Sequence, residues 1–255
     1  MLSYCISREQ QAEQIRVNAA RGLPKIRPRA IRPDPLALVC FGPSLRDTWQ
    51  EILGDSMTCS GAYKFLRERN LTPTYHVEVD PRPHKIALIG NNISPTTTFL
   101  LPTCCHPDLF DHLLNLNATI MTWHAYDGGI DPPDGGWAIA GGCTAGLRAL
   151  VLARFLGYRD LHIFGMDGSF SDSSHAAPHV EDPRNPQVWA EFRGKSYRTT
   201  RTLIESANDF FTVIATLPDV KTSFHGTGLI PDMAAAKLST FPRDPNSTIA
   251  VYHPE

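Results

Sequence analysis

The sequence is poor in the features that mark secreted, metal-stabilised and membrane proteins. Its six cysteines stand at positions 5, 40, 59, 104, 105 and 143, and no two of them form a C-x-x-C pair. Such scattered cysteines argue against a disulfide framework and against a zinc site. No apolar run approaches the ~20 residues of a membrane span, and the N-terminal stretch lacks the apolar centre of a signal peptide. We therefore expect a soluble protein of the reducing cytoplasm with no membrane partner.

A strong charge of one sign is also missing. The formal net charge is −2 over 255 residues, so no global field attracts nucleic acid or membrane surfaces. Neither a Walker G-x-x-x-x-G-K-[ST] loop nor a G-x-G-x-x-G fingerprint occurs. Because both loops are absent, any nucleotide site must be built differently from them. A length of this size suits one large domain or one and a half small ones.

Apolar runs and helix-like stretches alternate along the chain. LALVCF at 36–41 is a continuous apolar run, typical of a strand covered on both faces. Further candidate strands are LTPTYHVEVD, which ends in Asp80, TTTFLLP, ATIMTWH and DLHIFGMD; PDLFDHLLNL and TAGLRALVLARFLG are helix candidates between them. The alternation predicts an α/β fold, a Rossmann-like, doubly wound and mainly parallel sheet with a C-terminal helix and strand extension.

Three parts are predicted along the chain. Residues 1–35 hold a helix and a basic, proline-rich arm, residues 36–180 form a nucleotide-binding α/β core, and residues 181–255 form the extension, with a hairpin turning at Gly194-Lys195. The stretch from 16 to 32 carries six basic residues and no acid. A solvated connecting arm is one interpretation, and a clamp on an acidic polymer or a modified nucleic acid is the other.

Small residues follow the first predicted strand, where open α/β sheets bind their ligands. Gly42 permits backbone shapes closed to other residues, and Pro43 and Ser44 suit the first turn of a helix. Free N–H groups in such a turn can bind phosphate. The alternative is a plain strand-to-helix turn with Ser44 as its cap.

A second small-residue loop, GGCTAG at 141–146, precedes a strong apolar helix. Backbone N–H groups near Gly142 and the hydroxyl of Thr144 are candidates to hold a phosphate or a nucleotide base. The alternative is close packing of the helix on the sheet through Ala145 and Gly146.

Acids and histidines stand at the other predicted strand ends. Asp80 and Asp167 each follow an apolar run, and such acids can hold a divalent metal between phosphates, bind a ribose or act as a base. The alternative is a turn aspartate that hydrogen-bonds its own backbone. Ser169 and His175 follow Asp167 in a polar loop, His175 as a candidate general base and Ser169 as a candidate ligand-binding residue. Of the remaining histidines, we expect His76 to pack inside its strand, with His106 and His124 as possible pocket residues.

Four segments, taken in order, resemble a known family. They are LVCFGPSLRD, GAYKFLRERNLTPTYHVEVDPRP, FLLPTCCHPDLF and GGCTAGLRALVLARFLGYRDLHIFGMDGSFSDSSHA. Over roughly residues 36–230 the chain resembles the motility-associated-factor and 6-hydroxymethylpterin-pyrophosphokinase-like family. The family includes flagellin glycosyltransferases that use nucleotide-activated nonulosonic acids and archaeal enzymes that pass pyrophosphate from ATP to a pterin alcohol. Its core is similar to that of bacterial CMP-sialic-acid sialyltransferases.

The resemblance implies a transferase. It assigns nucleotide binding to the turn at 42–44 and to Gly142 and Thr144, places Asp80 and Asp167 at the family's two acidic strand ends, and matches His175 to a histidine that follows. We expect a glycosyltransferase that takes a nucleotide sugar of unknown base to an acceptor hydroxyl, with His175 or Asp167 as the base. The alternatives are an ATP-dependent pyrophosphate or phosphoryl transferase, with Mg²⁺ or Mn²⁺ between Asp80, Asp167 and the phosphates, and a non-catalytic nucleotide-binding protein.

Overall fold

The computed structural model describes residues 6–126, 132–173, 175–177 and 185–237, together with the backbone of 250–252. The strands are β1 (Leu36–Val39), β2 (Asp55–Cys59), β3 (Tyr75–Val77), β4 (Thr98–Pro102), β5 (Thr119–Ala125), β6 (Ala138–Ile139), β7 (Asp160–Phe164), β8 (Gln187–Phe192), β9 (Lys195–Thr200), β10 (Lys221–His225) and β11 (Ala250–Tyr252). The helices are α1 (Arg8–Ala19), α2 (Leu45–Thr48), α3 (Ala62–Arg67), α4 (Lys85–Ile89), α5 (Pro107–Asn115), α6 (Ala145–Phe155), α7 (Arg201–Ala215) and α8 (Leu229–Lys237).

Eight strands form one sheet in the order β10-β7-β1-β2-β3-β4-β5-β6, and each neighbouring pair is parallel. The chain proceeds from β1 across one half of the sheet to β6, then returns to β7 on the other side of β1. This is the doubly wound, Rossmann-like arrangement, so the predicted fold class is confirmed.

The apolar run that makes β1 explains why the sheet is covered on both faces. Leu36 and Leu38 belong to the core cluster beneath α6, whereas Ala37 and Val39 belong to the cluster beneath α2 and α3. All four are buried. Because side chains alternate across a strand, a run without polar residues needs apolar partners on either side.

Two strand predictions need correction in detail. β3 ends at Val77, three positions before Asp80, because the side chain of Glu78 accepts the backbone N–H groups of Val79 and Asp80 and turns the chain out of the sheet. The hairpin β8–β9 turns at Arg193 and Gly194, both with positive φ, rather than at Gly194-Lys195. A pair of positive φ angles is what a two-residue hairpin turn requires.

The C-terminal part supplies two separate pieces. β8, β9 and β11 form a small antiparallel sheet, and β10 joins the main sheet as the edge strand beside β7. The predicted boundary at 180/181 lies outside the described residues, and the division into three parts stays a prediction.

The basic arm runs from the carboxyl end of β4, where Asn18 donates to the carbonyls of Thr103 and Cys105, past Thr122 in the middle of β5 to the amino ends of β2 and β7. Arg32 pairs with Asp55 at 3.0 Å, at the start of β2, and its N–H donates to the carbonyl of Gly157, just before β7. Arg21 and Lys25 pair with carboxylates of Asp111 and Asp134. These contacts support the connecting-arm interpretation, and polymer binding by the arm stays a prediction. Across the described part of the chain, no helix is long and apolar enough to span a membrane.

Candidate functional site

The topological switch point of the sheet, where the strand order reverses, lies between β1 and β7. β1 leads on to β2 on one side, and β7 has β10 on its other side, so the loops that leave their carboxyl ends diverge. Ligands of open α/β sheets bind in the crevice that such diverging loops leave. The segments that line this crevice are 40–44 and 165–170.

Gly42 lets the two loops touch. Its N–H donates to the carbonyl of Gly165 at 2.8 Å, and a Cβ on Gly42 would lie 2.5 Å from that oxygen and 2.6 Å from a carboxylate oxygen of Asp167. Any side chain here would push the loops apart, so the glycine is needed for close approach.

Asp167 and Ser44 join the two loops directly. The backbone N–H of Ser44 donates to Oδ2 of Asp167 at 2.8 Å, and the Ser44 hydroxyl donates to Oδ1 at 2.5 Å. Asp167 is 3% exposed. Burial raises the pKa of Asp167 to about 6, against the opposing effect of the two hydrogen bonds from Ser44. A carboxyl group poised near neutral pH suits a general base.

Two more glycines enclose this pair from the side of β10. A Cβ on Gly226 would lie 2.3 Å from Oγ of Ser44, and one on Gly228 would lie 2.4 Å from the carbonyl oxygen of Asp167. The N–H of Ile230 donates to the same carbonyl at 3.0 Å. The backbone of residues 226–228 therefore packs against Asp167 and shields its side chain from solvent.

A cavity of about 470 Å³ opens beside Asp167, and we call it the switch-point cavity. It runs over the carboxyl ends of β1, β2, β3 and β7 to the start of α6. Of the predicted site residues, it brings together Gly42, Asp80, Thr144, Asp167, Ser169 and His175. Pro43 and Ser44 face a second cavity, which Asp167 and Ser169 also line. Gly142 lies behind the wall of the first, with Leu147 and Asp209 beside its Cα.

Thr144 serves as the N-cap of α6. Its hydroxyl accepts the N–H of Leu147 at 3.4 Å and lies 3.3 Å from Oγ of Ser206. Gly146 packs the helix on the sheet, since a Cβ there would lie 2.6 Å from Sγ of Cys40. Both interpretations of the GGCTAG loop are thus compatible with the geometry, because Thr144 caps the helix and also lines the cavity. Burial, with the nearby Asp209 carboxylate, raises the pKa of Cys143 to about 12, so this thiol is no nucleophile at neutral pH.

Asp80 lies among charged side chains in one corner of the switch-point cavity. Arg82 donates two hydrogen bonds to its carboxylate through Nε and Nη2, at 2.9 and 2.6 Å, and Nζ of Lys85 lies 3.8 Å away. Burial alone would raise the pKa of Asp80, but the Arg82 hydrogen bonds and the Lys85 charge outweigh it and hold the pKa below its ordinary value. Asp80 is therefore ionised at neutral pH and engaged by a guanidinium.

Glu78 was missed by sequence reasoning, although it stands two positions before Asp80. It is 1% exposed, and its Oε2 lies 3.5 Å from Nζ of Lys85, which also donates to Oγ of Ser60 at 3.1 Å. Two acids and two bases leave this corner balanced in charge. The positive charges of Arg82 and Lys85 are thus already matched by Asp80 and Glu78.

His175 lines the outer wall of the switch-point cavity. Its ring lies 5.4 Å from that of Phe41 and 6.4 Å from that of Phe170, and the following N–H of Ala176 donates to the carbonyl of Phe41. The loop is thus tied to the end of β1, and the imidazole is half-buried at the cavity. His179, the second histidine of this loop, lies outside the described residues.

The three other histidines considered in the sequence analysis have structural partners. His76 is buried inside β3 beside Thr58, and burial with the Lys85 charge lowers its pKa to about 3, so the packed role is confirmed. His106 caps α5. His124 bonds Thr103 and Asp134. A further missed residue is Arg148, which is 5% exposed, lines the cavity and donates to the carbonyls of Tyr126 and Ile139.

The acids here do not form a ready-made metal site. Among the described residues no three His, Cys, Asp or Glu side chains converge on one point, and the carboxylates of Asp80 and Asp167 are each taken by other donors. Mg²⁺ is commonly held by one or two carboxylates together with substrate phosphates. A metal at Asp80 and Asp167 would need those phosphates, and would have to displace Arg82 or Ser44.

Comparison with known proteins relates the chain to a family by its sequence and to a solved structure by its fold. The family model described as 6-hydroxymethylpterin diphosphokinase MptE-like matches residues 9–173. The solved structure of the MAf glycosyltransferase from Magnetospirillum magneticum AMB-1 superposes with a TM-score of 0.62 at 15% sequence identity, covering 94% of this chain and 42% of that one. At this identity the likeness shows the fold alone, and the chain spans less than half of that protein. No curated protein matches the sequence.

Proposed function

Since this chain belongs to the MptE-like family of 6-hydroxymethylpterin diphosphokinase-like proteins, we propose that it is a transferase that takes a nucleotide-activated donor into the switch-point cavity. The acceptor is a hydroxyl group, and Asp167 is the base that removes its proton. The cytoplasm is the proposed location, because the donors in question are cytoplasmic metabolites.

One observation carries this proposal: a buried carboxylate with a raised pKa stands at the topological crevice of the sheet. Asp167 is held by Ser44 and enclosed by Gly42 and Gly228, so its position is fixed without a substrate. Structural ion pairs lower the pKa of an acid, whereas this acid has no cationic partner among the described residues, and burial raises its pKa. Its chemistry therefore fits proton transfer better than fold stabilisation. His175 is the alternative base at the same cavity.

Glycosyl transfer is the first form of the reaction. The acceptor oxygen forms a bond to the anomeric carbon of the sugar while the bond from that carbon to the nucleotide phosphate oxygen breaks. The acceptor proton goes to Asp167, and the nucleotide leaves with the electron pair of the broken bond. N–H groups at the start of α6 would stabilise the charge on the departing phosphate. The MAf enzyme's name supports this form.

Diphosphoryl transfer is the second form, and the description of the family favours it. The acceptor oxygen would bond to the β-phosphorus of ATP, the bond between that phosphorus and the α-phosphate oxygen would break, and AMP would leave. This reaction needs a cation on the phosphates, for which Asp80 and Asp167 are the proposed protein ligands. A protein that binds the nucleotide without catalysis is the third possibility.

A thermal-shift panel with CMP, CTP, UDP, GDP and ATP, each with and without Mg²⁺ or Mn²⁺, separates the two reactions, and an activity assay with the nucleotide found there separates both from binding without catalysis. A ligand that binds only the folded state raises the melting temperature. A metal-independent shift with a nucleoside mono- or diphosphate supports glycosyl transfer and names the base. A shift with ATP and Mg²⁺ alone supports diphosphoryl transfer, and no shift with any nucleotide contradicts the proposal.

Catalysis is then tested with Asp167→Asn, which keeps the shape of the side chain. The variant should bind the nucleotide found in the panel but transfer or hydrolyse its donor at least 100-fold more slowly, as expected for loss of a general base. Full activity in this variant would move the base role to His175, which His175→Gln tests in the same assay.

A further inference from the structure

A second cavity, of about 560 Å³, lies on the other side of Asp167, and we call it the hairpin cavity. Its walls are the loop after β1, the loop after β7, the β8–β9 hairpin and residues 226–228. Asp167, Ser169 and Phe170 line both cavities. One carboxylate therefore stands between two separate spaces.

The hairpin wall is fixed to the loop that carries Asp167. The N–H of Phe170 donates to the carbonyl of Arg198 at 2.7 Å, and the Thr199 hydroxyl donates to the carbonyl of Gly168 at 2.7 Å. Tyr197, also on β9, donates from its hydroxyl to Asp232. The cavity is thus preformed, which lowers the entropic cost of binding.

Two guanidinium groups converge on Ser171, a residue of the cavity wall: Arg198 lines the cavity itself, whereas Arg46 reaches Ser171 from outside the lining. Arg46 donates from Nη2 to Oγ of Ser171 at 3.2 Å, and Arg198 donates to the backbone carbonyl of the same residue. Neither group forms an ion pair with a carboxylate of the described residues; the other bond of Arg46 is to the carbonyl of Pro43. Two like charges at one serine repel each other, so an anion placed between them would be favourable.

The lining of the hairpin cavity also carries the carboxylates of Asp47 and Asp167, and within the described part of the chain neither forms an ion pair with Arg46 or Arg198. Lys195 is paired with Asp232 at 2.6 Å, and Asp47, on α2, is an exposed carboxylate of the lining. Trp189 stands opposite Arg198 in the register of β8 and β9, and its half-buried ring lines the cavity. Arginine beside an aromatic face, with serine and threonine hydroxyls around them, suits a hydroxylated molecule with an anionic end.

We propose that the hairpin cavity is the acceptor site and that it binds a small hydroxylated compound bearing a phosphate or carboxylate, which Arg46 and Arg198 hold. The inference rests on the proposed function, in which Asp167 is the general base. The donor lies in the switch-point cavity and the acceptor in the hairpin cavity. Asp167, which lines both, takes the proton of the acceptor where the two cavities meet. Ring contact with Trp189 orients the hydroxyl towards Asp167.

Calorimetric titration with three probes that share a carbon skeleton tests the anion requirement. Ribose 5-phosphate, ribonate and ribose carry a phosphate, a carboxylate and no charge. We expect one or both anions to bind at least 10-fold more tightly than ribose, and the stronger of the two identifies the anion. Equal binding of all three, or binding of none, overturns the proposal.

Substitutions of the two arginines test where the anionic probe binds. Arg198→Ala and Arg46→Ala should each weaken the better probe at least 10-fold, and Arg198→Lys should weaken it less. Arg67→Ala is the matched control, because Arg67 lies on α3, outside the lining of both cavities, and its side-chain partners within the described residues are Thr72 and Asn92. Arg46 is exposed on a short helix, so we expect Arg46→Ala to remain folded. It can therefore be tested even if Arg198→Ala unfolds the protein. An unchanged probe affinity in Arg46→Ala and Arg198→Lys overturns the assignment.

Nucleotide titrations on the same variants separate this inference from the proposed function. The nucleotide that binds wild-type protein should keep its affinity in Arg46→Ala and Arg198→Ala. A loss there would assign the arginines to the donor and overturn the acceptor site. If no nucleotide binds but the anionic probe does so through the two arginines, the anion site is supported and the donor proposal fails.

Discussion

Ser44 and Asp167 are 123 positions apart in the chain and share two hydrogen bonds, at 2.8 and 2.5 Å, across the crevice between β1 and β7. The contact joins the first strand loop to the loop after the seventh strand, and it fixes an acid at the boundary of two cavities. A carboxylate held by neutral donors in a buried place keeps a raised pKa while its position stays defined. The same pair therefore determines both the stability and the reactivity of the site.

The raised pKa of Asp167 predicts a particular dependence of stability on pH. Between the ordinary value of 3.8 and about 6, the folded protein binds the proton more tightly than the unfolded chain does. Stability contributed by this group is complete below pH 3.8 and falls as the pH rises through about 6, by up to about 3 kcal/mol. Asp167→Asn should remove that slope, measured by urea unfolding at steps from pH 4 to 7.

Asp219→Asn is the control for that measurement. Hydrogen bonds from Arg154 lower the pKa of the exposed Asp219, so its contribution has the opposite sign and is lost as the pH falls. A wild-type slope retained in Asp167→Asn would mean that another group titrates in this window.

The pH profile of activity tests the base role. Asp167 must be ionised to accept a proton, so kcat/KM should rise through an apparent pKa near 6. Ser44→Ala removes a hydrogen bond that lowers this pKa, and the midpoint of the rise should move to higher pH. Ser223→Ala, on β10 and outside the lining of both cavities, should leave the midpoint in place. An unmoved midpoint in Ser44→Ala would assign the titration to another group.

Gly42→Ala should disrupt the site through its backbone contacts. The added Cβ would meet the carbonyl of Gly165 and the carboxylate of Asp167 at 2.5 and 2.6 Å, and backbone cannot move aside cheaply. We expect a loss of about 1–3 kcal/mol in unfolding free energy and loss of nucleotide binding. Gly54→Ala adds a Cβ in open space at φ +68°, so it should cost about 1 kcal/mol and leave binding intact. Equal effects of the two substitutions would show that close approach at Gly42 is unimportant.

Much of the core could be predicted because its strands are continuous apolar runs. β1 and β4 were predicted from their apolar residues. The alternation of strands and helices along the chain then predicted a parallel sheet and the sheet edge at which ligands bind. β10 was predicted as the strand of the C-terminal extension, but its residues Lys221–His225 are exposed or half-buried and carry no apolar pattern that would place it in the main sheet. Its place beside β7 depends on packing between distant segments, which periodicity does not encode.

The contacts of the site residues were equally hidden from the sequence. Asp80 and Asp167 both follow apolar runs, yet one is held by a guanidinium and the other by a serine 123 positions away. Gly226 and Gly228 read as a glycine-rich strand end, whereas their role is to let backbone approach Ser44 and Asp167. The local amino-acid sequence identified the strand ends. The hydrogen-bond partner of each acid, however, depends on which loops the sheet topology brings together.

Thr144 gives a test that separates capping from ligand binding. Thr144→Ala removes the oxygen that accepts the N–H of Leu147, so the protein should lose about 1 kcal/mol in urea unfolding. Thr144→Ser keeps the oxygen and should keep the stability. If the hydroxyl also contacts the donor, nucleotide affinity falls in the alanine variant and persists in the serine variant. A stable alanine variant would contradict the cap.

The ion pair of Glu78 and Lys85 predicts the largest change in stability. Glu78 is 1% exposed, and Nζ of Lys85 lies 3.5 Å from its Oε2, an oxygen for which the described residues offer no hydrogen bond. Removing one partner of a buried pair leaves an uncompensated charge, so Lys85→Met should cost about 3–5 kcal/mol. Neutralising both partners removes that penalty, and Glu78→Gln combined with Lys85→Met should be more stable than Lys85→Met alone. Urea unfolding of the four proteins completes a double-mutant cycle. Additive effects would mean that Lys85 stabilises the fold through Asp80 or Ser60 instead, and that Glu78 keeps its charge by other means.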